Sequence, residues 1–233
     1  MAGIFNGKVV LITGAAGNLG RAVARRFAAE GARLALVERG EDHLAEILQE
    51  VGGLPLAADV TDPASVDALV TKIEAEYGQI SVLAHTVGGF AAGQPVHEAG
   101  LDVWDKMLNL NAKSVYVMCG RVAKHMVERQ VAGSIVAIVS RNAYKGTAKN
   151  AAYSASKAAA QRVLESMAAE LGPLNITVNA IAPSTIDTPA NRAAMPNADF
   201  SKWVQPDEIA DAIAFLAANR AVNGHTLDLF GRV

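Results

Sequence analysis

The chain has 233 residues, 51% of them hydrophobic, with 21 Lys+Arg against 23 Asp+Glu. That length suits a single large α/β domain with a substantial core. No apolar run approaches the ~18–20 residues of a membrane span, and no basic cluster could neutralise a row of phosphates, so neither a membrane nor a nucleic acid is an expected partner. The lone cysteine, Cys119, has no disulfide partner and lies in an apolar helical pattern, as a core residue in a reducing compartment would. Seven residues precede the first predicted strand, too few for a cleavable signal, so a cytoplasmic location is the expectation.

The first strand, "KVVLI" at 8–12, runs into "TGAAGNLGRAVARRFAAEG", where Gly14, Gly17 and Gly20 lead into an amphipathic helix. Glycines at a strand-to-helix turn let the backbone approach a pyrophosphate, and the helix N-terminus supplies amide donors and partial positive charge. Dinucleotide binding by Gly14, Gly17, Asn18, Leu19 and Gly20 follows as an expectation. The second strand, "RLALV" at 33–37, ends in Glu38 and Arg39, with Glu38 twenty-four residues after Gly14. A carboxylate there accepts the ribose hydroxyls of NAD and repels the 2′-phosphate of NADP, while an arginine beside it could hold that phosphate. The pair favours NAD over NADP. The third strand, "LPLAA" at 54–58, leads into "ADVTD", which places Asp59 and Val60 to meet the adenine edge. Asp59, Asp62 and Pro63 read equally as a helix start.

Four more apolar runs follow: "ISVLA" at 80–84, "SIVAIV" at 134–139, "NITVNAI" at 175–181 and "TLDLF" at 226–230. They are continuous rather than alternating, and Ala-rich helical patterns separate them, which predicts a parallel sheet covered on both faces. The expected architecture is α/β, one doubly wound Rossmann-type domain over 1–233 with seven strands. Ligands bind beyond the carboxyl ends of such strands. In "NAAYSASKAAA", 150–160, Tyr153 and Lys157 stand at i and i+4, a spacing that by itself describes any ordinary helical pair. A second tyrosine, Tyr144, has Lys145 adjacent and Ala148 at i+4, so no lysine stands over its phenol.

Together, "TGAAGNLG", "ADVTD", "NLNAKSVY", Ser140 thirteen residues before Tyr153, and "YSASK" resemble the short-chain dehydrogenase/reductase family over almost the whole chain. The resemblance implies an NAD(P)-dependent oxidoreductase acting on a small secondary alcohol or carbonyl, with Asn111, Ser140, Tyr153 and Lys157 as its catalytic set and no metal. It implies further cofactor contacts at Thr86, Gly88 and Pro183, with Thr188 toward the nicotinamide carboxamide. Hydride transfer at a carbinol carbon requires proton transfer at its oxygen, and a free tyrosine, with pKa near ~10, is a poor base at neutral pH. A nearby ammonium favours the phenolate, so Lys157 is expected to lower the Tyr153 pKa and to grip the nicotinamide ribose. Ser140 would hold the substrate oxygen, and Asn111 a water relaying protons from Lys157.

Several positions depart from the family pattern. Asn18 stands where glycine is usual, and asparagine tolerates positive φ best among other residues. His85, Thr86, Val87 and Gly88 replace Asn-Asn-Ala-Gly, leaving His85 as a satisfied structural histidine or a pH-sensitive group. Ser184 replaces the glycine after Pro183. The segment 186–203, at the family's substrate lid, is similar to dihydropteridine reductases, as is Gly88-Gly89-Phe90, although those enzymes generally lack the serine. Reductases of 3-oxoacyl carrier proteins share the length and catalytic set, but their acidic partner needs a basic patch, to be assembled here from Arg21, Arg25, Arg26, Arg121 and Lys124. A non-catalytic dinucleotide-binding protein is the rival from another class. Apolar patterns at 103–127 and 152–171 fall on the helices that build dimers or tetramers in this family.

Overall fold

The computed structural model describes residues 3–232. All seven expected strands form: β1 (Val9–Thr13), β2 (Arg33–Glu38), β3 (Leu54–Ala57), β4 (Val82–His85), β5 (Ser134–Ile138), β6 (Thr177–Pro183) and β7 (Thr226–Leu229). They pair in parallel in the order β3-β2-β1-β4-β5-β6-β7. Continuous apolar runs suit this arrangement because each strand buries both faces. On β1, Val9 and Leu11 enter one core while Val10 and Ile12 enter the other.

The first core is closed by α3 (Pro63–Tyr77), α5 (Ser114–Glu128) and α6 (Ala151–Leu171). The second is closed by α1 (Asn18–Ala29), α2 (Ala45–Val51) and α8 (Pro206–Ala218). Strand order reverses between β1 and β4, which opens a crevice beyond their carboxyl ends.

The helix predicted from the 103–127 pattern is three pieces: α4 (Leu101–Met107), a π-helical turn (Leu108–Lys113) and α5. Such widened turns recur at functional positions, and this one carries Asn111. Asp62, with Pro63 at the first helical position, caps α3 by accepting from the amides of Ala64 (3.3 Å) and Ser65 (3.1 Å). Asp59 is thereby left to the preceding loop.

Candidate active site

The cofactor-facing side begins where β1 ends. Gly14 takes φ 70°, open to glycine without strain, and a Cβ on Gly20 would lie 2.0 Å from the Gly14 carbonyl oxygen, so α1 packs onto the loop only because Gly20 has none. Asn18 does not adopt positive φ; it opens α1 in helical conformation, and Gly14 makes the turn instead. Gly17 brings no side chain to cap α1, which leaves the amides of Asn18, Leu19 and Gly20 facing an incoming anion. Glu38 Oε1 accepts from the Ala16 amide at 3.1 Å, holding the carboxylate beside the same loop. Arg39 is exposed. Asp59 accepts from the Thr61 amide (2.9 Å) and hydroxyl (2.7 Å); these bonds, with the charges of Arg39 and Lys113, hold its carboxyl below the usual range. Val60 is buried in the core beside it.

The catalytic side draws on four elements. Beyond β4, the Thr86 hydroxyl donates to Thr13 O (2.7 Å), and Gly88 presses so close that a Cβ would lie 3.0 Å from both Asn111 Oδ1 and Lys157 Nζ. Asn111 is buried; its Nδ2 donates to Gly89 O and to Ser156 Oγ, each 3.0 Å, and its Oδ1 accepts from Gly89 N at 2.9 Å. Both amide hydrogens are spent on this clamp. Ser156 in turn donates to the carbonyl of Tyr153 (2.8 Å). Ser140, just past β5, caps the turn Arg141–Ala143 by accepting from Asn142 N (3.2 Å). Lys157 is buried, with Nζ donating to Ile138 O at 3.0 Å, and burial pulls its pKa down to about 8. Burial raises the Tyr153 phenol above its ordinary value, a hydrogen bond with Ser140 pulling the other way. The expected lowering by Lys157 is not what this geometry gives: loss of hydration dominates the phenol, and the ammonium points at a carbonyl.

The sequence pattern of the family described as short chain dehydrogenase matches residues 8–199. The chain belongs to that family. It is 35% identical to a D-threitol dehydrogenase of Mycolicibacterium smegmatis over 97% of its own length and 92% of the relative's. It is 34% identical to a cis-4-hydroxycyclohexanecarboxylate dehydrogenase of Sinomonas cyclohexanicum, covering 95% and 93%. The solved structure of a levodione reductase superimposes with TM-score 0.87 at 30% identity, covering 96% of each chain.

The protein is thus an oxidoreductase of the short-chain dehydrogenase/reductase family, whose members use nicotinamide cofactors. Its residues fit such a group: bare first-turn amides on α1, a carboxylate at the end of β2, and a Gly88 backbone that only the lack of a Cβ lets approach Lys157 Nζ. The remaining expectations divide. His85 is fully buried, with Nδ1 2.9 Å from the Thr13 hydroxyl and Nε2 3.3 Å from that of Ser114; burial and the nearby Lys157 charge lower its pKa to about 3. It is a structural, neutral histidine. Pro183 ends β6, and Ser184 Oγ donates to Phe230 O at 2.8 Å, fastening this loop to the chain beyond β7. Thr188 accepts from Asn191 N (3.2 Å) and caps α7 (Pro189–Ala194) in the lid segment, whose base is closed by the pairing of Ile186 with Val204. Tyr144 turns away, donating to Asp228 Oδ1 at 2.6 Å. The basic patch does not assemble: Arg21, Arg25, Arg26, Arg121 and Lys124 pair with Glu46, Glu50, Glu30 and Asp211, Asp67 and Glu128 respectively. Sequence reasoning missed Phe90 as a site residue. Its ring stands edge-on to that of Tyr153, centroids 4.9 Å apart and planes at 79°. The aromatic after two glycines was the available signal.

Proposed function

We propose that the protein exchanges a hydride between a nicotinamide cofactor, NAD in preference to NADP, and a small secondary alcohol or carbonyl, with Tyr153 as acid/base. One observation carries the reading: Ser140, Tyr153, Lys157 and Asn111 meet at the carboxyl end of the sheet, next to the glycine-lined loop. The names of the two dehydrogenase relatives support a hydroxyl-bearing substrate. A carrier-protein substrate finds no support in the five paired cations.

The bound cofactor supplies the hydride acceptor or donor. The amides of Asn18, Leu19 and Gly20, with the space at Gly14 and Gly17, would hold its pyrophosphate; Glu38 would take the adenine ribose hydroxyls, Arg39, Asp59 and Val60 the adenine, Thr86 and Gly88 the middle, and Lys157, Pro183 and Thr188 the nicotinamide end. Ser140 holds the substrate oxygen. In reduction Tyr153 gives its proton to that oxygen; in oxidation it takes the proton as the hydride departs. A phenol raised by burial is protonated at neutral pH, so it is ready to reduce, and oxidation must accelerate as pH rises. Asn111 acts as a strut, holding Gly89 against the catalytic helix. Assaying carbonyl and alcohol panels with NADH, NADPH and their oxidised forms tests the reading; turnover of none by the intact enzyme overturns it.

Assembly as a dimer or tetramer through α5 and α6 belongs to the same reading, as does a cytoplasmic setting, which suits a buried Cys119 whose thiol is pushed up to about 12 by burial. Light scattering at micromolar concentration should give a multiple of the 24.3 kDa chain mass; a monomer overturns the assembly.

A further inference from the structure

Phe90 is an oddity for a loop residue in direct contact with the catalytic helix. Its side chain is 67% exposed, although its ring packs edge-on against Tyr153. Its position is not loose. Gly89, the residue before it, is bound at both N and O by the buried Asn111, which anchors this stretch of backbone. An apolar ring is therefore presented to solvent beside the phenol where proton transfer is proposed.

A cavity of 540 Å³, within the range of small-molecule sites, begins at the residues that follow Phe90 and precede Tyr153, the two rings themselves lying outside its lining. Ala91 and Ala152, the chain neighbours of the two edge-on rings, line it together with Val96, Leu101 and Trp104. Trp104 is 41% exposed. The charges at the rim, Asp102 and Lys149, are one of each sign and call for no net charge on the occupant. Lys149 holds φ 64°, an uncommon backbone for a non-glycine residue, and its carbonyl accepts from Gly93 N at 3.0 Å, tying the loop after Phe90 to the start of α6.

We propose that Phe90 is a specificity-determining residue and that the substrate is an uncharged secondary alcohol or ketone whose reacting carbon lies in or beside a six-membered ring. The proposal rests on the hydride-transfer function above. Aromatic side chains offer flat, rigid walls, and apolar rings pack against them face-on or edge-on. A ring enters already ordered, whereas an open chain of equal carbon number must freeze several torsions to reach from Tyr153 past Phe90 into the cavity. Alanines at 91, 151 and 152 bring little side-chain bulk to the lining.

The test compares six-carbon substrates, cyclohexanone and 2-hexanone, and the matching alcohols in the reverse direction. Cyclic ketones differ from acyclic ones in intrinsic reactivity, so the quantity read is the change in the ratio of kcat/KM values between wild type and variants, in which that difference cancels. Phe90→Ala should lower the ring-to-chain ratio at least fivefold while leaving the NADH dissociation constant within twofold; Phe90→Tyr should keep it. A ratio unchanged by Phe90→Ala, or wild-type turnover of the open chain alone, overturns the proposal while leaving the oxidoreductase reading in place. Absence of all turnover overturns that reading instead. Saturation-transfer NMR on the NADH-loaded protein then decides: a cyclohexanol signal lost in Phe90→Ala, with that of 2-hexanol kept, supports the ring wall, and equal signals in both proteins sink it.

Discussion

The two sides of the cleft are built from different materials. Where the cofactor is proposed to lie, the working parts are backbone: a glycine at positive φ, a glycine with no room for Cβ, and amides at a helix start without a side-chain cap. Across the crevice they are side chains, buried except for the half-buried Tyr153, with titrations moved chiefly by loss of water: Tyr153 upward, Lys157 down to about 8, His85 down to about 3. A backbone cradle works through shape and fixed dipoles and is indifferent to pH. A desolvated cluster is the opposite, because each pKa shift is also a stability difference between protonation states.

Removing a group from the desolvated side should therefore hit chemistry while sparing the cradle. Tyr153→Phe is expected to cut kcat by ~10²–10⁴, the usual worth of a positioned acid or base, and to leave NADH affinity unchanged in a fluorescence titration. Turnover within tenfold of wild type would move the acid/base role elsewhere.

Lys157 sharpens the contrast through stability. Its pKa is about 8 in the folded protein against an ordinary lysine value of 10.5. Between those values the unfolded chain binds more protons than the folded one, so stability rises with pH there, and the cost of burying the ammonium is fully felt below about pH 8. At about 1.36 kcal/mol per unit that cost is on the order of 3 kcal/mol, offset by about 1 kcal/mol from the hydrogen bond to Ile138 O. Lys157→Met should be inactive yet more stable than wild type at pH 7 by roughly 1–2 kcal/mol. In urea titrations the difference should shrink between pH 8 and 10.5; a constant difference would place the charge in better solvation than its burial suggests.

The sequence made these two sides legible to different depths. Seven strands stood out because strands covered on both faces must be continuously apolar, and the glycine loop because its geometry admits few other residues. The spacing of Ser140, Tyr153 and Lys157 brought those three to one place once the family pattern was in view. What could not be read depends on contacts between distant segments. Asn18 was expected to turn the loop because its type permits positive φ, but Gly14 already supplies the turn. Five basic residues looked available until the fold set a carboxylate beside each. The sign of the Tyr153 shift follows from how much water the phenol loses, which no spacing encodes. The π-helical turn at Asn111 and the contact of Phe90 with Tyr153 likewise belong to tertiary structure.

On the cradle side the largest expected effect is in cofactor choice. Glu38, half-buried, accepts from the loop amide of Ala16 and is followed by the exposed Arg39. Titrations should show NADH binding several-fold tighter than NADPH, and Glu38→Ala should bring the two within about twofold, since one charge-assisted hydrogen bond to a hydroxyl is worth about 1.5–3 kcal/mol at most. Equal affinities in the wild type would make Arg39 the deciding group.

The smallest effect belongs to a tyrosine outside both sides. Tyr144 lies only four residues beyond Ser140, but its hydroxyl donates to Asp228 on β7, and burial together with that carboxylate pushes its pKa up to about 12. What separates it from Tyr153 is its partner: the hydroxyl hydrogen is committed to the Asp228 carboxylate on β7, whereas Tyr153 stands with Ser140. Tyr144→Phe removes one hydrogen bond to a charged acceptor, so its cost is stability: about 1–2 kcal/mol, or a Tm lower by ~2–8 °C in a chain of this size. kcat should stay within twofold. Should kcat fall tenfold with Tm unmoved, the link from the Ser140 turn to β7 is part of the catalytic machinery, and the division between structural and reactive tyrosines drawn from their neighbours fails.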